Sequence, residues 1–327
     1  MSDEMRIPHR PRSLPTSAVN RGPVNLGPVN LGPVQLVNPI VCASGTFGHG
    51  GEFARLNRLE ALGAVTVKSL AHFAHDGNPP LRTTEVSGGG MLNSVGLAGP
   101  GVGAWIEHDL PTLSVARATT IVSVWGRSVD DYARAAAMLA PVADRIAALE
   151  INLSCPNIGS HVMFAQSAEL TRATVAATIA VCDLPVFAKL TAQVTDLAAI
   201  AGAALDAGAT GLTLINTMPG LAVDIAARAA KLGAGGGGVS GPPLHAIALR
   251  SVWDVARAFP GTPIIGTGGV TRGTDAVAML LAGATAVGVG TATFADPRAP
   301  SRIRDELDAW CADRNVRNYR DLVGRMR

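Results

Sequence analysis

Cys155 lies just beyond an apolar strand pattern, flanked by Ser154 and Pro156, with Asn152 and Asn157 close by in sequence. A thiol with an ordinary pKa of about 8.5 is only a few per cent thiolate at neutral pH, yet it can serve as base or nucleophile. A free cysteine is more often a small buried hydrophobe, and that reading fits Cys42, Cys182 and Cys311. Lys68 and Lys189 each follow apolar strand residues. A strand-end lysine aimed into a rim is costly unless it meets an anion or a partner; the plainer alternative is a lysine snorkelling to solvent. Asn93, Asn152, Asn157 and Asn216 can each donate and accept through the side-chain amide. Together they suit a small planar ligand with carbonyl and N–H edges, whereas a lone asparagine after a strand is usually a cap or turn residue. Two glycine-rich stretches, Gly266-Thr267-Gly268-Gly269 and Gly288-Val289-Gly290-Thr291, complete the set. Glycine lets backbone N–H groups approach an anion closely, although it also serves merely to make tight turns.

These residues share a position in the pattern. Short apolar runs rich in β-branched residues predict strands at Ile40–Ala43, Val65–Lys68, Thr120–Val124, Leu149–Leu153, Val186–Leu190, Gly211–Ile215, Pro263–Gly266 and Ala286–Val289. Helical patterns at 51–61, 129–140, 168–181, 195–207, 244–258, 273–282 and 298–312 alternate with most of them. Strands alternating with helices predict a parallel α/β sheet, and eight such units within about 300 residues favour a closed (β/α)8 TIM barrel. The chemistry-bearing residues follow the strands, at the C-terminal ends where such barrels place their active sites. The glycine-rich turns follow strands seven and eight, where barrels often bind phosphate. Segment 69–118 has no simple helical period and is read as an insertion over the barrel top, after strand two. Residues 1–20 read as a disordered tail and 21–327 as the barrel. The repeat GPVNL (22–26), GPVNL (27–31), GPVQL (32–36) predicts small strands and tight turns capping the barrel's bottom.

Composition agrees with a large core of buried strands and tight turns: 48% hydrophobic, 16% charged, 4% aromatic, with 37 glycines among 327 residues. A net charge of +2 without a basic run argues against nucleic-acid binding. The four cysteines form no C-x-x-C pair, so no metal or iron–sulfur site is expected on this chain. Their sparseness suits a reducing compartment. No signal peptide is visible, and no apolar run reaches the roughly 18 residues of a membrane span. The expected setting is cytoplasmic.

The stretches NPIVCASGTFGHG (38–50), GNPPLR (77–82), MLNSVGLAGPGV (91–102), NLSCPN (152–157), LINTM (214–218), GGGVSGPPLHAIALR (236–250), PIIGTGGV (263–270) and LAGATAVGVGTATFADP (281–297) resemble class 1 dihydroorotate dehydrogenases. The similarity runs in order along the chain and is nearest to the class 1B catalytic subunit. It implies a barrel with FMN at its C-terminal mouth, oxidising dihydroorotate to orotate in pyrimidine biosynthesis. On the matching residues it implies Cys155 as the base. It also implies substrate contacts from Lys68, Asn93, Ser94, Val95, Gly96, Leu97, Asn152, Asn157, Asn216 and Thr217. Flavin contacts are implied for Ser44, Lys68, Ser69, Asn152, Lys189, Ile215, Gly241, Gly268, Gly269, Gly290 and Thr291. The resemblance further implies a homo-oligomer or a hetero-oligomer, the latter, as in class 1B, with an electron-transfer subunit carrying FAD and a [2Fe–2S] cluster.

The chain departs from the usual pattern in several places. Ser69-Leu70 replaces Gly-Thr-Thr, AHFAHD (71–76) replaces a Glu-Pro-Arg stretch, and Ser123 stands where asparagine is common. Thr191-Ala192-Gln193 replaces Ser-Pro-Asn. Two rival readings stay open on the residues alone: an FMN enzyme for another dihydropyrimidine, and a flavin-free lyase or aldolase using a strand-end lysine.

Overall fold

The computed structural model describes residues 26–153 and 163–326. The expected tail at 1–20, the start of the first repeat unit, Cys155 and Asn157 lie outside the described residues. The other two repeat units form a hairpin. Val29–Leu31 (β1) pairs antiparallel with Val34–Leu36 (β2), their outer residues buried and Asn30 and Gln35 exposed. That alternation is the period-2 signature of a one-sided strand. The turn residue Gly32 packs so closely on Thr210 and Pro263 that a Cβ would lie 2.9 Å from the Thr210 side chain. Both residues immediately precede barrel strands, so the hairpin caps the barrel's N-terminal end, as the repeat predicts.

The barrel then alternates as expected. Its first strands are Ile40–Cys42 (β3) and Ala64–Leu70 (β4). An excursion follows: Thr83–Val86 (β5), Gly90–Asn93 (β6), and two short helices, Val102–His108 (α1) and Leu110–Val115 (α2). Next come Thr120–Val124 (β7), Val129–Leu139 (α3), Ala148–Asn152 (β8) and Ala168–Ile179 (α4). Val186–Leu190 (β9), Leu197–Asp206 (α5) and Gly211–Leu214 (β10) continue the alternation. A second excursion holds Met218–Gly220 (β11), Val223–Asp224 (β12), Ala229–Ala230 (β13) and Gly237–Ser240 (β14). His245–Ala258 (α6), Ile264–Thr267 (β15), Gly273–Ala282 (α7), Ala286–Val289 (β16), Ala292–Ala295 (α8) and Ala299–Asp313 (α9) complete the fold.

The eight long-range strands close in the order β3, β4, β7, β8, β9, β10, β15, β16 and back to β3, every pairing parallel. The expected (β/α)8 barrel is therefore present. Every residue of β7, β8 and β9 is buried, as parallel strands covered on both faces require. The α3 helix starts with Ser128 capping Asp131 N–H, and α5 with Asp196 accepting from Ala199 N–H at 3.0 Å. Such caps satisfy donors the helix leaves unpaired.

The structure corrects two expectations. No α-helix spans 51–61; those residues are turns with a single 3-10 turn at Leu59–Ala61. Gly51 packs against the Thr112 side chain too tightly to admit a Cβ. Asn57 donates to Pro297 O at 2.9 Å and accepts from the Ser301 hydroxyl at 2.9 Å. The segment is thus moulded on α2 and α9 rather than on its own period. The insertion over the top is also only half the story. The β5–β6 hairpin joins β14 and β11 of the second excursion in one sheet, ordered β11-β14-β6-β5.

Candidate active site

The C-terminal mouth of the barrel opens into a cavity of about 1170 Å³, counted out to its open face. Its wall carries Ser44, Lys68, Ser69, Asn93, Val95, Gly96, Leu97, Asn152, Lys189, Ile215, Asn216, Thr217, Gly241, Gly268, Gly269, Gly290 and Thr291. The residue pattern and the family resemblance together name all of these, and the fold brings them together. Ser94 is not on the wall: it is fully buried and accepts a hydrogen bond from Asn78 Nδ2 at 2.8 Å, bracing the loop from behind. Cys155 and Asn157 follow directly on β8, whose last residue, Asn152, is on the wall.

A bulge positions Lys68. The β4–β7 register shifts between Val67 and Leu70, and the Lys68 N–H donates to Gly48 O at 2.9 Å instead of joining the ladder. Bulges beside active sites re-aim side chains. Lys68 also stands near His49. Burial first, and the Lys68 ammonium second, hold the His49 imidazole below its ordinary value.

Beneath the mouth the buried polar groups are linked. Ser69 Oγ lies 2.9 Å from Ser123 Oγ and 3.4 Å from Ser44 Oγ, and it accepts from Asn152 Nδ2 at 3.0 Å. Asn216 Nδ2 reaches Asn152 Oδ1 at 3.4 Å, and Tyr132 donates to the Asn152 carbonyl at 2.8 Å. Buried polar groups tolerate burial when satisfied in this way. Ser69 and Ser123, two departures from the usual family pattern, are therefore direct partners. A third departure, AHFAHD, packs over the end of β7: Phe73 meets Trp125 edge-on at 5.6 Å, and Arg127 covers the Phe73 ring at 4.9 Å.

The far wall is glycine-rich backbone. Gly268 and Gly269 have φ of 138° and 68°, conformations that side chains resist. A Cβ on Gly269 would lie 2.7 Å from His245 Cβ and 2.9 Å from Gly241 O. Among the described residues, the N–H groups of Gly269, Gly290 and Thr291 donate to no protein acceptor. Among the described residues, two lysines and no carboxylate line the cavity. Unpaired donors, close backbone approach and net positive charge fit a phosphate-bearing cofactor such as FMN.

Several wall residues escape sequence reasoning, among them Met91, Ser240 and Phe294. Behind the wall, Glu150 is also missed, although a glutamate inside the apolar run Ala148–Asn152 is a legible signal. No helix among the described residues is long and apolar enough to cross a membrane.

A barrel with a cationic, amide-rich mouth and two glycine turns defines a class of cofactor-using enzymes, and comparison narrows it. The family pattern described as dihydroorotate dehydrogenase matches residues 28–310. The chain is 41% identical over 291 residues to the protein named dihydroorotate dehydrogenase B (NAD(+)), catalytic subunit, of Geobacter metallireducens, covering 89% of this chain and 94% of that one. The protein of the same name from Geobacter sulfurreducens is 42% identical over 88% of this chain and 94% of its own. A Solibacter usitatus protein named putative dihydroorotate dehydrogenase A (fumarate) is 42% identical over 89% of this chain and 95% of its own. The chain belongs to the dihydroorotate dehydrogenase family, an FMN-dependent group of oxidoreductases.

Proposed function

We propose that this chain oxidises dihydroorotate to orotate in pyrimidine biosynthesis, with FMN and substrate sharing the cavity at the barrel mouth. The observation that carries the reading is the composition of that cavity among the described residues: two lysines, three amides and two glycine-rich turns, with no carboxylate. Bound FMN supplies the hydride acceptor. The turns at Gly268-Gly269 and Gly290-Thr291 would hold its phosphate through backbone N–H groups. Ser44, Ser69, Ile215, Gly241 and Lys189 would hold the flavin ring, and Lys68 would reach both ligands. Asn93, Asn152, Asn157, Asn216 and Thr217 orient the pyrimidine ring and its carboxylate, with Val95 to Leu97 against it and Ser94 bracing that loop. Cys155 would take the C5 proton while a hydride leaves C6 for the flavin, so that the two hydrogens lost from the ring leave as one proton and one hydride, two protons and two electrons in all. A positioned base is worth roughly 10² to 10⁴ in rate.

Anaerobic titration with dihydroorotate tests this reading: the bound flavin band should bleach. Dihydrouracil, which lacks the carboxylate, should bleach it far more slowly, and equal rates would favour the other-dihydropyrimidine reading. A colourless protein with a borohydride-trappable substrate would overturn the flavin reading in favour of a lysine-based lyase. Cys155→Ala should keep FMN and lose about 10² to 10⁴ in flavin reduction rate; full-rate reduction removes Cys155 from its role.

For reoxidation we favour an electron-transfer subunit carrying FAD and a [2Fe–2S] cluster, in a hetero-oligomer. The names of the Geobacter relatives support this. The name of the Solibacter relative favours fumarate as a second reading. Turnover of the isolated chain with each acceptor separates them: full-rate NAD reduction without a partner overturns the first. Three buried free thiols, Cys42, Cys182 and Cys311, fit a cytoplasmic location.

A further inference from the structure

Glu150 and Lys189 are the only charged side chains classed as buried among the described residues. They come from neighbouring strands, β8 and β9. Their side chains are 3% and 9% exposed, and Lys189 Nζ lies 3.7 Å from Glu150 Oε1. That is a charge contact and not a hydrogen bond. Accordingly, Glu150 Oε1 has no hydrogen-bond donor among the described residues. The other oxygen, Oε2, is fixed by the Thr213 hydroxyl at 2.9 Å. Across the ladder, Ser123 faces Glu150, while Asn152 and Thr213 flank Lys189, all of them neutral. Lys68 on β4 is the other cation of the cavity wall.

Burying a carboxylate is expensive unless it meets a cation. Glu150 is not on the cavity wall, whereas Lys189 is. The carboxylate therefore sits one step behind the lysine, anchored by Thr213, and shares its charge with a group whose other side meets the ligand. We propose that Glu150 is a positioning residue that acts through Lys189: it holds the ammonium at the cavity wall and tempers the positive field there, setting how strongly the site stabilises the reduced, anionic flavin. The inference rests on the flavin reading above. With Glu150 neutralised, no carboxylate among the described residues pairs with Lys189 and the ligand becomes its counter-ion, so the reduced flavin gains relative to the oxidised one.

The test is the midpoint potential of bound FMN, titrated against redox dyes. Glu150→Gln should favour the reduced form roughly tenfold, a rise of about 30 mV for a two-electron couple. Glu150→Asp, which keeps the charge, should restore the wild-type potential. In a Lys189→Met background, Glu150→Gln should add nothing. A Glu150→Gln potential equal to or below wild type overturns the proposal, as does a shift that persists in full without Lys189. If Glu150→Gln fails to fold, Thr213→Val provides the second reading: freeing the carboxylate should raise the same equilibrium roughly twofold to threefold, and no change overturns the proposal. A wild-type chain that binds no flavin instead sinks the proposed function. A wild-type chain whose flavin bleaches while its potential ignores Glu150 sinks only this inference.

Discussion

At the floor of the barrel, Val29, Leu31, Val34 and Leu36 turn apolar side chains inward from a two-stranded cap. At the mouth, the buried side chains include Ser69, Ser123, Asn152, Glu150 and Lys189, tied to one another or to their neighbours, beside apolar ones such as Ile215 and Val270. The two ends close the same eight strands with opposite materials. An apolar floor gains free energy from any well-fitting shape. A polar layer stays neutral in stability only while its partners are all in place, and in return it fixes orientation. Stability and chemistry are thus assigned to opposite ends of one scaffold.

The largest effect on this comparison should come from the floor. Leu36→Ala removes a fully buried side chain and should cost about 2–5 kcal/mol in urea unfolding, while the folded fraction keeps wild-type FMN affinity. Affinity falling in step with stability would mean that the ends are not separable. Next in size is Gly269→Ala at the mouth. The left-handed backbone disfavours a side chain by about 1–2 kcal/mol, and the contacts with His245 and Gly241 must give. FMN dissociation should rise roughly tenfold with a smaller loss in melting temperature, and unchanged affinity would remove the turn from the cofactor site.

The smallest effect lies at the outer edge of the mouth end, at Asp131 in the first turn of α3. Burial works to raise its pKa, but hydrogen bonds from Arg127 N–H, His72 and Ser128 N–H outweigh burial and hold the carboxyl below its ordinary value of 3.8. A depressed folded value means stabilisation that is present above 3.8 and lost as pH falls through the folded value. Asp131→Asn should therefore cost about 1 kcal/mol or less at neutral pH. The gap from wild type should close in acid, as unfolding curves at the two pH values would show.

The barrel strands are the most legible part of the sequence. Thr120–Val124, Val186–Leu190 and Ala286–Val289 are recognisable to the residue, because each is a short, mostly apolar run between turns. The bulge at Lys68 and Ser69 is not legible, since it exists only against β7. Strands β11 to β14 carry glycine, proline and short exposed pairs, which hold no period to detect. The site residues are legible one by one through local motifs. Their pairings are not: nothing in the sequence says that Ser69 meets Ser123, or that Lys189 leans on Glu150.

The antiparallel sheet beside the cavity, ordered β11-β14-β6-β5, carries a consequence for anyone recombining this chain. Its central pairing joins Asn93 of β6 to Gly238 of β14, with Leu92 opposite Val239. Two stretches far apart in the chain are thus laced into one fabric, and each supplies residues to the cavity wall. Gly238 approaches Thr217 too closely for any side chain, so the weave tolerates little new thread. A loop transplanted from a relative at one of these sites brings half a seam, and substrate preference should travel only when both halves move together.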